Sequence, residues 1–222
     1  MAKPVLIFGT SPLSKLAHYY LKEDMQREVA GFVVHKAYRD MATYLDQPVY
    51  CWEDLLHEFP PTAADLYMAI GYKRMIVRES LYAEAKLRGY TLINIAAHSA
   101  FIANGTSLGD NNFFMPGCVI EPDVQLGNNN VFWSNTTICH DTKIGSHSFF
   151  ASNVTIGGGA RIGNRTFLGF SAVVLQGLHI GDDVLVGAQS LVTHDAGPLV
   201  QIHGAPAKTI KYLPSADGVC VD

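Results

Sequence analysis

An apolar side chain recurs at every sixth residue through the second half of the chain. The register starts at Ile102 and runs without a break to Val192. Its sixteen members are Ile102, Leu108, Phe114, Ile120, Leu126, Phe132, Ile138, Ile144, Phe150, Ile156, Ile162, Leu168, Val174, Ile180, Val186 and Val192. A chain that is 48% hydrophobic would keep this register by chance with a probability of order 10⁻⁵. The period is therefore a structural repeat, and it dictates the fold of this region.

A six-residue period is too short for helical repeats and predicts a solenoid of short parallel strands. Each hexapeptide supplies one strand and one turn, and three of them complete a triangular coil. The repeat predicts a left-handed parallel β-helix over residues 96–194, an exception to the right-handed crossover rule. Glycine recurs every eighteenth residue from Gly109 to Gly181, and we expect it in turns that need positive φ. Residues 195–222, a C-terminal tail, are expected to cover one end.

The first part of the chain alternates apolar runs with amphipathic stretches. The predicted strands are residues 5–9, 29–34 and 65–72, and the predicted helices are residues 11–24 and 73–90. This order predicts a small Rossmann-like α/β domain with a parallel sheet over residues 1–95, which would bind the substrate. Ligands in such sheets bind beyond the carboxyl ends of the strands, so Gly9, Thr10 and Ser11 are candidate substrate-binding residues. A plain helix start is an equally good interpretation of this loop.

Composition narrows the class of protein. The net charge is −4 and no basic run occurs, so no nucleic-acid partner is expected. No apolar stretch approaches the length of a membrane span, and the first residues lack the features of a secretory signal, so a cytoplasmic protein without a membrane partner is expected. The four cysteines lack CxxC spacing and fit reduced thiols better than disulfides or a zinc site.

The stretch TTICHDTKIGSH places His140 and Asp141 side by side in a predicted turn of the solenoid. Histidine titrates near neutrality and can act as a general base within hydrogen-bond reach of a reacting group. A solvated or satisfied side chain is the ordinary interpretation of a lone histidine, and the residues alone leave both open. The other histidines of this region are interpreted as surface residues: His147, His179 and His194.

The repeat, the domain order and two motifs resemble the hexapeptide acyltransferases, in the branch of sialic acid O-acetyltransferases and nucleotide-sugar N-acetyltransferases. The motifs are ICHDTKIG, which contains His140 and Asp141, and HGAPAK at residues 203–208. The resemblance implies acetyl-CoA as donor, a sugar or nucleotide-linked sugar as acceptor, a homotrimer, and an active site between neighbouring solenoids. It implies that His140 takes a proton from an acceptor amine or hydroxyl, with Asp141 supporting the ring, in a direct transfer that mainly requires positioning.

The resemblance also implies a site for the donor and no metal. The pantetheine arm would follow a groove between coils, and the loop before Lys208 would flank the adenine end, with the lysine near a phosphate. A solvated tail lysine is an equal alternative. The implied donor-binding residues are Gly157, Gly158, Ala172, Val173, Ala188, Pro206 and Lys208. Backbone amides of the Gly157–Gly158 turn are expected to stabilise the oxyanion.

Several positions depart from the family pattern, and all of them concern the acceptor. Trp133 stands where members often carry asparagine, and Phe149 stands where they often carry a second histidine. The loop at residues 9–14 is not glycine- and histidine-rich, and His35 and Lys36 replace acidic residues that commonly follow the second strand. We therefore expect Trp133 and Phe149 to shape a different, drier acceptor pocket. The identity of the acceptor, the choice of nitrogen or oxygen and the length of the acyl group stay open.

Three rival functions can be weighed. A γ-type carbonic anhydrase uses this solenoid to hold zinc with three histidines, but the two expected positions after His140 are Gln176 and Gly181. A non-catalytic scaffold is favoured by Trp133 and Phe149 and disfavoured by the retained His–Asp pair. Within enzymes, the altered loop at the first strand favours a non-nucleotide acceptor such as sialic acid or an amino acid.

Overall fold

Strands and helices alternate in the first part of the chain, as the sequence predicts. The computed structural model describes residues 2–221, and contacts divide the chain into two units. Unit one contains the residues up to 71 together with 80–97, and unit two contains 72–79 and the residues from 98 onward. The segment 72–79 therefore packs with the solenoid, although part of unit one separates the two in the chain.

Unit one is a small α/β sheet structure. Its strands are β1 (Val5–Phe8), β2 (Val29–Val34), β3 (Thr43–Tyr44), β4 (Gln47–Cys51), β5 (Asp65–Met68) and β6 (Ile95–Ala96). The helices of this part of the chain are α1 (Pro12–Glu23), α2 (Leu55–Glu58) and α3 (Met75–Leu87), of which the start of α3 belongs to unit two. Pro12 is the first residue of α1. The N–H of a first helical residue has no acceptor within the helix, so proline costs no hydrogen bond at this position.

The sheet of unit one has the order β3-β4-β2-β1-β5. Strands β4, β2, β1 and β5 are parallel, but β3 and β4 form an antiparallel hairpin, so the sheet is mixed rather than wholly parallel. Its core contains the fully buried Trp52, whose Nε1 donates to Oε1 of Glu84 at 2.7 Å. The guanidinium of Arg88 lies 4.0 Å from the centre of the Trp52 ring, a cation–π contact.

Unit two is the predicted solenoid, and its strands form three walls. The first wall contains β7 (Phe101–Ile102), β10 (Val119–Ile120), β13 (Thr137–Ile138), β16 (Thr155–Ile156), β19 (Val173–Val174) and β22 (Leu191–Val192). The second contains β8 (Ser107–Leu108), β11 (Gln125–Leu126), β14 (Lys143–Ile144), β17 (Arg161–Ile162) and β20 (His179–Ile180). The third contains β9 (Phe113–Phe114), β12 (Val131–Phe132), β15 (Phe149–Phe150), β18 (Phe167–Leu168), β21 (Leu185–Val186), β23 (Val200–Gly204) and β24 (Ala207–Tyr212).

Every strand of the repeat pairs in parallel with the strand eighteen residues away, which confirms the β-helix. The second residue of each two-residue strand is buried from Phe114 to Val192 and stacks on its equivalents, whereas Ile102 is partly buried and Leu108 is exposed in the first coil. In the third wall the rings of Phe114 and Phe132 stack at 5.1 Å, and those of Phe132 and Phe150 stack at 4.8 Å. Such stacked aromatic pairs bury large apolar areas and fix the spacing of the coils.

Three corners join the walls, and each corner is four residues long. The first corner, between the first and second walls, comprises residues 103–106, 121–124, 139–142, 157–160 and 175–178. The second corner comprises residues 109–112, 127–130, 145–148, 163–166 and 181–184. The third comprises residues 115–118, 133–136, 151–154, 169–172 and 187–190. The third residue of a corner is left-handed throughout, with φ between 53° and 86°.

The regular glycines of the second corner do not fill these left-handed positions, so the expected reason for them is wrong. Gly109, Gly127, Gly145, Gly163 and Gly181 are the first residues of their corners. A Cβ on Gly127 would stand 2.6 Å from the carbonyl oxygen of Gly145 in the next coil. Close approach of successive coils therefore requires glycine there, whereas the left-handed positions hold residues such as Asn129 and His147.

The second corner also has a ladder of hydrogen bonds from coil to coil. The amide of Asp110 donates to Oδ1 of Asn128, and the amide of Asn128 donates to Oγ of Ser146, both at 2.9 Å. The ladder continues through Asn164 to Asp182 at 2.8 Å for each step. From Asp110 to Asn164, the amide of the second residue in each second corner thus donates to the side chain at the same position of the next coil.

The C-terminal residues extend the third wall. Strand β23 pairs in parallel with β21, and β24 returns antiparallel to β23. Ala205 and Pro206 form the turn of this hairpin, Gly204 and Lys208 belong to its strands, and the Ala205–Pro206 peptide bond is cis. In the described part of the chain, no helix has the length and apolar character needed to cross a bilayer.

Candidate active site

His140 and Asp141 are the second and third residues of a first corner, directly after β13. Ile138 anchors that strand in the core, and the buried Thr142 closes the corner, with Oγ1 donating to the Gly157 carbonyl at 3.3 Å. Between these anchors the side chains of His140 and Asp141 are 64% and 65% exposed. The repeat therefore presents the pair to solvent on a rigid backbone.

The imidazole of His140 is oriented by its neighbour. Its Nδ1 lies 2.8 Å from Oδ2 of Asp141. An ionised carboxylate only accepts hydrogen bonds, so Nδ1 carries the proton and donates it. The neutral ring then keeps its lone pair on Nε2, and that atom can take a proton from a reacting group, as a general base must.

Negative charge surrounds this ring. The hydrogen bond to Asp141 raises the pKa of the His140 imidazole, desolvation acts in the opposite direction, and the charges of Asp141, Glu121 and Asp123 raise it further. The base form is therefore lost at a higher pH than for an ordinary histidine. Glu121 and Asp123 lie one coil earlier in the same corner, and only the stacking of coils brings them to His140. The prediction from sequence missed both, although the eighteen-residue spacing contains the signal.

Gly158, the equivalent of His140 in the next coil, lies against the imidazole. A Cβ on Gly158 would stand 2.8 Å from Cε1 and 2.9 Å from Nε2 of His140. Real Cβ atoms do not come this close to other atoms, so a side chain here would displace the ring from Asp141. Glycine at position 158 is thus needed for the orientation of the ring.

One of the two glycine amides expected to bind an oxyanion is already used. The Gly157 amide donates to the Val174 carbonyl at 2.8 Å as part of the strand ladder, so that expectation is wrong for Gly157. The Gly159 amide donates to the His140 carbonyl at 2.9 Å. The Gly158 amide makes no hydrogen bond within residues 2–221, and it remains a candidate donor to an oxyanion beside His140.

The two predicted acceptor aromatics lie in one aromatic cluster on the third wall and its corner. The rings of Trp133 and Phe149 are 5.6 Å apart, and Phe149 stacks on Phe167 at 5.7 Å. Tyr72, from the segment that precedes α3, covers Phe149 at 4.8 Å. Phe149 is only 4% exposed and Trp133 is half-buried. Their contact with an acceptor stays a prediction: within one chain Phe149 is on the third wall and Trp133 is at the third corner, whereas His140 is at the first corner.

The predicted donor residues are spread over four places. Gly157 and Gly158 are at the first corner, half-buried Val173 faces outward from the first wall, and Ala172 and Ala188 are at the third corner. Ala172 is fully buried and Ala188 is exposed. Pro206 and Lys208 are exposed on the C-terminal hairpin. A single chain does not gather these residues into one pocket, and their role stays a prediction.

The loop after β1 is largely satisfied by its own contacts. Gly9 has a φ of 106°, and a Cβ there would stand 3.0 Å from Oγ of Ser14, so glycine is needed at this strand end. The amide of Ser11 donates to Oγ of Ser14 at 3.2 Å, which closes the start of α1. Thr10 lies between them and is half-buried. Binding of a substrate by Gly9, Thr10 and Ser11 stays a prediction.

A carboxylate that the sequence did not reveal lies at the same edge of unit one. Glu53 accepts from the Lys36 amide at 2.9 Å and lies 3.1 Å from Nδ1 of His35. An acidic group therefore stands beside the two positions that depart from the family pattern. The parallel pairing of β2 with β4, which sets Val34 opposite Cys51, brings these distant residues together.

His147 is buried, so its interpretation as a surface residue is wrong, whereas His179 and His194 are exposed. The Asn129 side-chain amide donates to Nδ1 of His147 at 3.0 Å. Burial, followed by the positive charges of Arg78 and Arg165, lowers the pKa of His147 to about 4. The segment 72–79 covers this corner: the fully buried Arg78 donates from Nη2 to the Asn129 carbonyl at 2.7 Å.

The two positions where a γ-type carbonic anhydrase would carry its further zinc-binding histidines are occupied by Gln176 and Gly181. Gln176 belongs to a first corner and Gly181 to a second corner, as the register requires. Among residues 2–221, no three histidine, cysteine, aspartate or glutamate side chains are grouped so that they could hold a metal ion.

Comparisons with known proteins agree with the fold and the predicted class. The family model "Bacterial transferase hexapeptide (six repeats)" matches residues 105–140. The structure is similar to that of PerB from Caulobacter crescentus in complex with CoA and GDP-perosamine, with a TM-score of 0.84 and 28% identity over 95% of this chain and 99% of that one. A variant of perosamine N-acetyltransferase from the same organism, with one histidine replaced, matches at 26% identity and a TM-score of 0.85 over 95% and 98% of the two chains.

More distant structures share the fold alone. The acetyltransferase domain of PglB from Neisseria gonorrhoeae matches with a TM-score of 0.84 at 18% identity, over 94% of this chain and all of that domain. A search of curated proteins finds no significant match. The repeat and the full-length structural matches confirm the resemblance of this chain to the hexapeptide-repeat acyltransferases of the nucleotide-sugar N-acetyltransferase type.

Proposed function

We propose that the protein transfers an acetyl group from acetyl-CoA to the amine of a nucleotide-linked amino sugar. The observation that carries this proposal is the His140–Asp141 pair, held at 2.8 Å with the ring against Gly158. The similar proteins from C. crescentus are named as N-acetyltransferases and were solved with CoA and GDP-perosamine. This likeness favours nitrogen over oxygen as the nucleophile. The chemistry at His140 supports either.

The proposed reaction is a direct transfer. The acceptor amine attacks the thioester carbonyl, and Nε2 of His140 takes the proton that nitrogen must lose as the C–N bond forms. The carbonyl oxygen becomes an oxyanion, toward which the Gly158 amide would donate. Collapse of this intermediate breaks the C–S bond, and the departing thiolate takes the proton from the His140 imidazolium to leave as free CoA, which restores the base. Asp141 holds the ring and stabilises the imidazolium formed in between.

Differences among the three walls support a homotrimer with the active site between chains. The outward residues of the second wall are polar: Ser107, Gln125, Lys143, Arg161 and His179. Those of the first wall are apolar or β-branched: Phe101, Val119, Thr137, Thr155, Val173 and Leu191. The first wall ends at the corner of His140, and Phe101 on it is 57% exposed. An apolar outer face of this kind fits burial between subunits.

An active site shared between two chains would also explain why the predicted site residues are far apart within one chain. Trp133 and His140 lie at opposite ends of the first wall, and we infer that the two residues which serve one acceptor come from different copies. Light scattering should then give a mass of about three times 24.2 kDa. We place the enzyme in the cytoplasm, where acetyl-CoA is supplied.

The test is a turnover assay with acetyl-CoA and a panel of acceptors: nucleotide-linked amino sugars, free amino sugars, sialic acid and amino acids. We expect acetyl-CoA to raise the melting temperature by linkage, and one nucleotide-linked amino sugar to release CoA. His140→Ala should lower kcat by about 10²- to 10⁴-fold, the usual contribution of a general base, while the exposed position keeps the melting temperature unchanged.

Each remaining outcome of this assay contradicts the proposal in a defined way. Release of CoA only with sialic acid or an amino acid would replace the acceptor class. Turnover that survives His140→Ala would remove His140 from its role. Neither binding nor turnover of acetyl-CoA would favour the scaffold function.

A further inference from the structure

We propose that Glu121 is a positioning residue for His140. Its carboxylate accepts the His140 amide and so holds the backbone of this corner, where the next coil offers no side-chain acceptor. The inference rests on the proposed function, because it concerns the orientation of the proposed base. Glu121 lies one coil before His140, and its Oε2 accepts a hydrogen bond from the His140 amide at 2.8 Å.

The second corner shows what this contact replaces. There, the amide of each second-position residue donates to the side chain of the same position one coil later, as Asn128 does to Ser146 and Ser146 does to Asn164. In the catalytic corner the residue one coil later is Gly158, which has no side chain to accept. Glycine is needed there because the His140 ring occupies the space of its Cβ.

In the corner of His140, therefore, position 158 of the next coil offers no acceptor for the His140 amide. A ring lying over the next coil excludes a side chain at position 158, and the amide of His140 would be left to solvent. Glu121 reaches forward from the previous coil and accepts that amide instead. A charged acceptor makes a stronger hydrogen bond than a neutral one, which suits an anchor at a half-exposed site.

Glu121 is itself well placed for this task. Its amide donates to the Ile138 carbonyl at 3.0 Å, so its backbone belongs to the ladder that carries β13. The side chain is half-buried, whereas Asp123 in the same corner is exposed and accepts no hydrogen bond from the His140 amide. Both carboxylates raise the pKa of the imidazole through their charge. Glu121 thus has two separable effects, a hydrogen bond and a charge, and Asp123 shares only the charge.

Three variants separate these effects. Glu121→Gln keeps an oxygen acceptor and removes the charge, Glu121→Ala removes both, and Asp123→Asn is the matched control for charge alone. The pH profile of kcat/KM is measured for each, and the imidazole of His140 is titrated by NMR, assigned through His140→Ala. The NMR titration needs no acceptor, so it tests the effect of charge even if the proposed acceptor is wrong, whereas the plateau of kcat/KM tests the positioning.

We expect Glu121→Gln and Asp123→Asn to behave alike. Both should shift the acidic limb of the profile and the NMR titration to lower pH, with the plateau of kcat/KM within about threefold of wild type. Glu121→Ala should show the same shift and, in addition, lose up to about 100-fold of the plateau, the effect of displacing a catalytic group by about 1 Å.

Three results would overturn the inference. A plateau for Glu121→Ala equal to that of Glu121→Gln would show that the hydrogen bond positions nothing. An equal plateau loss in Asp123→Asn would show that charge, and not the contact with the amide, is responsible. Loss of all activity with an unchanged His140 titration in Glu121→Ala would also contradict a positioning role. Absence of turnover in the wild type would instead count against the proposed acceptor.

Discussion

The first and second corners of the solenoid contain two histidines, seven residues apart in the chain. These histidines differ in exposure, in the hydrogen-bonding role of Nδ1 and in the direction of their pKa shift. His140 is exposed, donates from Nδ1 to a carboxylate and has a raised pKa. His147 is buried, accepts at Nδ1 from Asn129 and has a pKa lowered to about 4. One histidine is available as a base, and the other is held neutral as part of the fold.

The difference lies in how each corner satisfies its hydrogen bonds. The second corner bonds each coil to the next in a continuous ladder, and the segment with Arg78 and Glu79 covers it. The first corner is not stabilised in this way: Pro122 has no amide hydrogen to donate and Gly158 has no side chain to accept, and at His140 the acceptor is Glu121 from the previous coil. A repeat protein can host a reactive group where its regular contacts are broken and replaced individually.

The largest predicted effect on stability concerns His147. Because its folded pKa lies below the ordinary value of 6.5, the unfolded chain takes up a proton first as the pH falls. Stability should be unaffected above pH 6.5, fall between pH 6.5 and about 4, and level off below. The lost free energy of unfolding is about 3 kcal/mol, at roughly 1.4 kcal/mol per pKa unit. Urea unfolding at several pH values measures it.

The control for this prediction is His147→Asn, which suits the left-handed φ of 65° and continues the column formed by Asn111 and Asn129. In this variant the unfolding free energy should no longer fall between pH 6.5 and about 4 on account of residue 147, because asparagine does not titrate. The neighbours Arg78, Arg165 and Glu79 are unchanged. Glu79 lies 3.8 Å from Nε2 of His147 but is shared with Arg165 at 3.0 Å, so it does not keep the histidine charged. Identical pH profiles for wild type and His147→Asn would contradict a neutral buried histidine.

Adjacent glycines next to His140 should respond to alanine in different ways. A Cβ on Gly157 would meet the backbone of the next coil, 2.5 Å from the Gln176 nitrogen, so Gly157→Ala should cost about 2 kcal/mol of stability through overpacking. The three atoms nearest to a Cβ on Gly158 all belong to the His140 ring. Gly158→Ala should leave the unfolding free energy within about 0.5 kcal/mol and lower kcat/KM by up to about 100-fold.

Thermal unfolding and the turnover assay on both variants provide the measurement. The comparison of corners would be weakened if Gly158→Ala kept full activity, since the ring would then reach the same orientation without its glycine. Equal destabilisation of both variants would mean that position 158 also touches the backbone of the next coil.

The smallest predicted effect belongs to Gly159. Its φ is 71° and a Cβ there would meet nothing within 4 Å, so only the backbone conformation opposes a side chain. Gly159→Ala should cost about 1 kcal/mol, whereas Gly159→Asn should cost less, because asparagine tolerates this conformation. Activity should be unchanged in both, and a larger loss for asparagine than for alanine would contradict the explanation by φ.

Much of this architecture can be predicted from the sequence because its signals are local or strictly periodic. The sixth-residue register identifies the buried residues from Phe114 to Val192, and the alternation of elements identifies the α/β unit. The His–Asp pair is visible because the two residues are neighbours in the chain. The structural comparisons confirm the fold and the class of enzyme, and the roles of the individual residues stay predictions.

The features that escaped prediction depend on residues that are distant in the chain. Phe149 has the outward position of a surface strand residue, but Tyr72 covers it. Glu53 reaches Lys36 only through the pairing of two parallel strands. The regular glycines suggested left-handed turns, while the structure shows that contact between coils requires them.

The sequence by itself determined the coil, its register and the position of a histidine and an aspartate at an exposed corner, because periodicity decides which side chains face in or out. Only the tertiary structure decided which outward groups are covered, which amides are free and which charges surround a ring. Those properties arise from the stacking of coils eighteen residues apart and from the segment that packs on them. The same residue type therefore serves as a candidate base at position 140 and as a buried neutral group at position 147.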